Sequence, residues 1–161
     1  MSAKFFSFYH RYFEDVYRYV YSRLGNQWDT DDVVSEVFLK AFTHYNESQA
    51  NKAWLVTIAR NCIVDHLRRS QHETALLFAP VYAANCDRDL DALEEQACLQ
   101  KALESLGEEE AELIRLRFFA GMSFKDISGA LGISVPAAKM RLYRTLSAVR
   151  EKVEACLELK S

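Results

Sequence analysis

No stretch of this 161-residue chain approaches the roughly 18 consecutive apolar residues that a membrane-spanning helix requires. Its N-terminal run, MSAKFFSFYHRYFEDVYRYV, has acids and a helical period where a secretory signal would have a plain apolar core. A cytoplasmic protein without membrane insertion is expected. Cys62, Cys86, Cys98 and Cys156 form no C-x-x-C pair, so neither a zinc ribbon nor a dithiol redox motif is spelled out, and free thiols in a reducing compartment are expected. Cys62 and His66 stand at i,i+4 on a predicted helix, but no second ligand pair accompanies them; a small buried hydrophobe is the better reading of Cys62, and no metal or cofactor is expected. No acid, base and nucleophile converge, which counts against an all-α enzyme. Internal repeats and strand patterns are missing as well, leaving an all-α fold.

The chain also has little net charge, −3, which at first argues against a nucleic-acid partner. The distribution reverses that impression. Residues 1–74 are neutral and residues 75–107 hold an acidic excess, whereas residues 134–152 carry Lys139, Arg141, Arg144, Arg150 and Lys152 against Glu151 alone. A basic patch is therefore hidden in a slightly acidic protein.

What is present is helical periodicity. Phe5, Phe6, Tyr9, Phe13, Val16, Tyr17, Val20, Tyr21 and Leu24 recur at steps of three and four, marking one face of a helix that Gly25-Asn26 stops. Asp29-Thr30-Asp31-Asp32 is expected to open a second helix that buries Val33, Val34, Val37, Phe38 and Ala41. A third runs from about Ala53 to Arg69 with Trp54, Leu55, Ile58 and Cys62 inward and Thr57, Arg60, Asn61, Val64 and Arg68 on another, mostly polar face. Periodicity then fails until about Leu93. The organisation predicted is a module over 1–72, a linker over 73–93 whose apolar half packs on a module or a partner, and a second module over 94–161.

The second module ends in SFKDISGALGISVPAAKMRL, two helical patterns joined by Gly132, which supplies a tight turn. Ser134 is suited to cap the next helix, and Pro136 sits in its first turn, where a missing N–H costs nothing. Ala138, Leu142, Leu146, Val149 and Val153 form its buried stripe, leaving Ala137, Arg141 and Arg144 on another face. A small residue followed by arginines one and two turns later suits a helix entering a major groove, where arginine grips guanine edges or phosphates. A solvated basic face is the alternative.

LGEEEAELIRLRFFAGMSFKDISGALGISVPAAKMRLYRTLSAVRE resembles the promoter-reading C-terminal domain of extracytoplasmic-function sigma factors, the smallest of the sigma-70 family. DDVVSEVFLKAF resembles the family's polymerase-binding helix and AWLVTIARNCIVDHLRR its promoter-melting helix. With these three motifs in order, the resemblance extends over nearly the whole chain.

The resemblance implies an initiation factor without chemistry of its own. Core RNA polymerase would be its partner, through the β′ coiled coil and the β flap, together with promoter DNA and an anti-sigma factor. Asp32, Val33, Ser35 and Glu36 would face polymerase. His44, Tyr45, Asn46, Arg60, Asn61, Arg68 and Arg69 would hold the melted minus-ten strand, with Trp54 read as core before stacking platform. Ser134, Pro136, Ala137, Lys139, Arg141 and Arg144 would line the minus-thirty-five element, and Arg115 and Arg117 would touch phosphates or be solvated. Ser35, Ala137-Ala138 and Met140 depart from the family's common residues and leave the promoter sequence open. An ordinary helix-turn-helix regulator is the competing reading; it leaves the two N-terminal motifs unexplained.

Overall fold

The computed structural model describes residues 3–70 and 90–160, and among them all regular structure is helical. Three helices make the first module: α1, Ala3–Leu24; α2, Gln27–Thr43; and α3, Lys52–Ser70. Gly25 ends α1 at φ +81°, a conformation that residues with a Cβ rarely adopt. Helix α2 then starts earlier than Asp29. The Asn26 side chain accepts from the Asp29 amide at 2.8 Å while its own amide donates to the Asp29 carboxylate at 2.8 Å, a reciprocal cap that satisfies orphan donors of the first turn. Asn51 caps α3 in the same manner, accepting from the Trp54 amide at 2.8 Å.

The second module comprises α4, Leu90–Glu104; α5, Glu108–Ile114, which widens into a π-helical turn at Arg115–Phe119; α6, Phe124–Leu131; and α7, Val135–Lys160. The first turn of α4 takes up residues 90–93, the end of the expected linker; residues 73–89, including Cys86 and the apolar half, lie outside the described residues. Gly132, at φ +68°, closes α6, and the Ser134 hydroxyl accepts from the Ala137 amide at 3.2 Å to start α7. The turn between them is built as the sequence predicts.

Both modules share one continuous core. The π-helical turn packs on α1, and α6 packs on α3. Periodicity reveals only one buried face of α1, yet Phe8 and Tyr19 are buried outside that stripe while Phe6 is half in solvent. Tyr19 turns to Glu112 of the second module, whereas Phe8 packs on Tyr12, Tyr45 and Trp54 within the first. Similarly Val56 and Ile63 of α3 are buried beside the expected Leu55 and Cys62. Leu113, Ile114, Arg115 and Leu116 are buried in succession because α5 and its π turn are sandwiched between α1 and their own module.

Two of the four cysteines correct the expectation of free thiols. Cys98 of α4 and Cys156 of α7 form a disulfide, whereas Cys62 is a free, fully buried thiol. Burial, and next the Glu36 carboxylate, push its pKa up, the behaviour of an inert structural cysteine. His66 turns to Asp29, Nε2 to Oδ1 3.5 Å.

Candidate polymerase and nucleic-acid interface

On α2, Asp32 and Ser35 are exposed and Glu36 is half-buried, three residues on one face of the helix. Val33 is not part of that face. It is 1% exposed and belongs to the core, because a residue one position after Asp32 points a quarter-turn inward. Trp28 and Leu39, largely exposed, flank the acidic face. Glu36 meets Lys40 at 3.1 Å and Arg69 of α3 at 3.2 Å. Burial works to raise its carboxyl, and the hydrogen bonds from Lys40 and Arg69 outweigh it, holding the group below the usual carboxylate range. Arg69, expected to contact DNA, is thus also the partner of a residue expected to contact protein.

The remaining minus-ten candidates fall into two groups. His44, Asn61 and Arg68 are exposed, Arg68 held by Asp65 at 2.7 Å in a surface pair worth little in water. Tyr45 and Asn46 are engaged otherwise. The Tyr45 ring packs edge-on against Phe5 with centroids 5.4 Å apart and lies 5.6 Å from Phe8, so it serves the end of the core. The Asn46 carbonyl oxygen accepts from the backbone amide and hydroxyl of Ser48, shaping the loop. Trp54, half-buried with its ring 6.0 Å from Phe8, follows the core reading.

Arg60 reaches across the seam to Glu112 of α5 at 3.4 Å. Glu112 is the centre of a network that the sequence does not announce. It accepts from the Tyr19 hydroxyl at 2.5 Å and from Arg115 Nε and Nη2 at 3.0 and 2.8 Å. Arg115 also meets Glu108 at 3.3 Å, and Glu108 meets Arg23 of α1 at 3.2 Å. Arg115, expected at a phosphate, is instead fully buried; removing its charge from water is offset by this paired, hydrogen-bonded setting. Burial and the neighbouring Glu112 carboxylate raise the Tyr19 hydroxyl well above the usual tyrosine range. The i,i+3 spacing of Glu112 and Arg115 was the available signal, but equally that of an ordinary surface pair.

Arg117 is likewise committed within its module, donating to the Met122 carbonyl at 2.8 Å and lying 4.5 Å over the Phe124 ring. On α7, Ser134, Pro136, Lys139, Arg141 and Arg144 are exposed and Ala137 half-buried, while Ala138 and Leu142 are core. Arg141 and Arg144 line a cleft of about 620 Å³ between the modules, opposite Arg60 and Val64 of α3. Of the minus-ten candidates Arg60 alone shares this opening with them, and Glu108, Glu109, Glu110 and Glu112 line it as well.

Residues 8–73 match the family model of Sigma-70 region 2, and residues 96–149 that of Sigma-70, region 4. The chain belongs to the sigma-70 family. Within it the chain is of the extracytoplasmic-function type, an initiation factor and not an enzyme. This sigma factor is 32% identical over 148 residues to the extracytoplasmic-function RNA polymerase sigma factor BldN of Streptomyces coelicolor, covering 86% of this chain and 56% of BldN. It is 27% identical over 146 residues to the RNA polymerase sigma factor SigZ of Bacillus subtilis, covering 89% of this chain and 83% of SigZ. Among solved structures it resembles CnrH in complex with the cytosolic domain of CnrY, with a TM-score of 0.63 and 26% identity over 98% of this chain and 89% of that one. Among the described residues no helix is long and apolar enough to cross a membrane.

Proposed function

We propose that this sigma factor docks on the β′ coiled coil of core RNA polymerase through Asp32, Ser35 and Glu36, and that polymerase presents its two modules to the two halves of a promoter. His44, Asn61, Arg68 and Arg69 then meet the melted minus-ten strand, and Lys139, Arg141 and Arg144 enter the groove at the minus-thirty-five element. The observation that carries the reading is the exposed basic face of α7 standing behind a built helix-turn-helix, in the same chain as an exposed acidic face on α2. The β flap takes the second module. The working compartment is the cytoplasm, where polymerase is.

The seam gives the mechanism a second part. Two elements about 25 base pairs apart lie about 85 Å apart along B-form DNA at ~3.4 Å per pair. A compact body of this length has a radius of gyration of only about 15 Å. The packed arrangement cannot reach both elements, so promoter binding opens the seam and releases Arg60 from Glu112. Free sigma factor accordingly binds promoter DNA poorly, and each half-site becomes strong only when polymerase holds both modules. An anti-sigma factor acts on this equilibrium by covering the same faces; the binding of a cytosolic domain by CnrH supports that regulation. Pull-down of purified core polymerase by the full chain tests the docking: wild type retains polymerase and Asp32→Ala retains less. Retention by both to the same extent overturns the assignment of α2.

A further inference from the structure

Cys98 and Cys156 sit at the outer end of the seam between α4 and α7. Cys98 precedes Ala102 by one helical turn, and Cys156 continues the stripe Val149, Val153 at steps of four and three. The two cysteines thus prolong an apolar seam by one turn each, and their Cα atoms stand 5.8 Å apart, within the span a disulfide needs. As thiols they fill the same place as small hydrophobes. Helix packing therefore aligns them whether or not they are bonded. Lys152 ties the same helix pair, donating to the Ser105 hydroxyl at 2.6 Å.

Beyond this point packing thins out. Leu90 and Leu93 at the start of α4 and Leu159 at the end of α7 are largely exposed, so the outer ends of both helices have few buried contacts to hold them. The bond also closes a ring of sequence separation 58 that contains α5, the π turn, α6 and the part of α7 bearing Arg141 and Arg144. A cross-link placed there restricts the unfolded state of the whole helix-turn-helix unit.

We propose that Cys98 and Cys156 are a reversible oxidation site, closed by a peroxide-class oxidant and opened by a dithiol reductant, which sets the stability of the second module. Cys156, half-buried, is the thiol that the oxidant reaches; Cys98, 1% exposed, resolves it. The Cys156 thiolate attacks one peroxide oxygen, the O–O bond breaks, and water leaves, giving a sulfenic acid. The Cys98 sulfur then attacks the sulfenic sulfur and the hydroxyl departs with a proton as a second water. Two thiols are oxidised by two electrons and one hydrogen peroxide is reduced to two waters. Exchange with a dithiol reverses the step.

The test uses the full chain, reduced with dithiothreitol and then exposed to hydrogen peroxide at a small molar excess. Peptide mapping without reductant is expected to find one joined peptide linking Cys98 to Cys156, lighter by two hydrogens and reopened by dithiothreitol. The oxidised chain should melt about 10 °C above the reduced one, the shift that a cross-link of this loop length implies. Cys156→Ser, at a half-buried position that tolerates the change, should melt like the reduced wild type and lose the response to peroxide. Three results would each overturn the site: both thiols remaining free to alkylation, Cys156 joined to Cys86 instead, or a joined peptide with an unchanged melting temperature.

Discussion

The Tyr19 hydroxyl of α1 and the Glu112 carboxylate of α5 meet at 2.5 Å across the seam between the two modules, although 93 residues separate them. On the same carboxylate converge Arg60 of α3 and the fully buried Arg115. One side chain thereby joins the two modules and holds Arg60 in an ion pair.

Glu112→Ala should lower stability by about 3 kcal/mol, because it takes the nearer carboxylate and two hydrogen bonds from the buried Arg115 charge and leaves it Glu108 at 3.3 Å. Tyr19→Phe removes one hydrogen bond and should cost about 1 kcal/mol. Urea titration of the two variants checks the order; equal losses would show that the network is not centred on Glu112.

The raised Tyr19 pKa has a defined consequence at alkaline pH. In the unfolded chain tyrosine loses its proton near its ordinary value of 10.0, whereas in the folded chain it holds the proton to higher pH. The unfolded state then binds fewer protons, so stability is intact below pH 10 and falls as pH rises beyond it. Tyr19→Phe should show a shallower decline between pH 10 and 11 in thermal melts.

Val33→Ala and Asp32→Ala should fail differently. Val33 is core, and its truncation should cost about 2 kcal/mol without altering polymerase affinity once the folded fraction is equalised. Asp32 is exposed, and its removal should leave the melting temperature within about 2 °C while weakening polymerase binding. Thermal melts paired with polymerase titrations separate the two.

Gly132→Ala tests the turn alone. Nothing lies within 4 Å of a Cβ built there, so the cost is that of φ +68° for a residue with a side chain, about 1–2 kcal/mol. A neutral substitution would mean that the left-handed turn is not required.

Much of this was readable in the sequence because it is local. The helix-turn-helix is written in Gly132, Ser134 and the stripe Ala138, Leu142 and Val149, although Leu146, expected in that stripe, is exposed and Thr145 is buried beside it; the acidic face of α2 is written in residues three and four apart. The seam was not readable. Each helix shows its strongest apolar stripe, and a residue buried outside it, such as Tyr19 on α1, becomes intelligible only when another module covers it. Arg115 misled for the same reason: its charge suggests solvent or phosphate, and only the convergence of Glu108 and Glu112 around it makes burial tolerable. Asn26 displaced Asp29 as the cap of α2 because a reciprocal side-chain pair outcompetes a simple run of acids. Cys98 and Cys156 are 58 residues apart, and nothing short of the α4–α7 packing brings them together.

Run-off transcription by purified core RNA polymerase on a library of genomic fragments, with and without this protein, tests the account most directly. The wild-type chain should produce new start sites that share a two-part upstream motif, and Arg141→Ala with Arg144→Ala should abolish them while the melting temperature stays unchanged, since both side chains are exposed. Absence of new starts, alongside tight and specific DNA binding by the chain without polymerase, would contradict the account and favour an ordinary helix-turn-helix regulator.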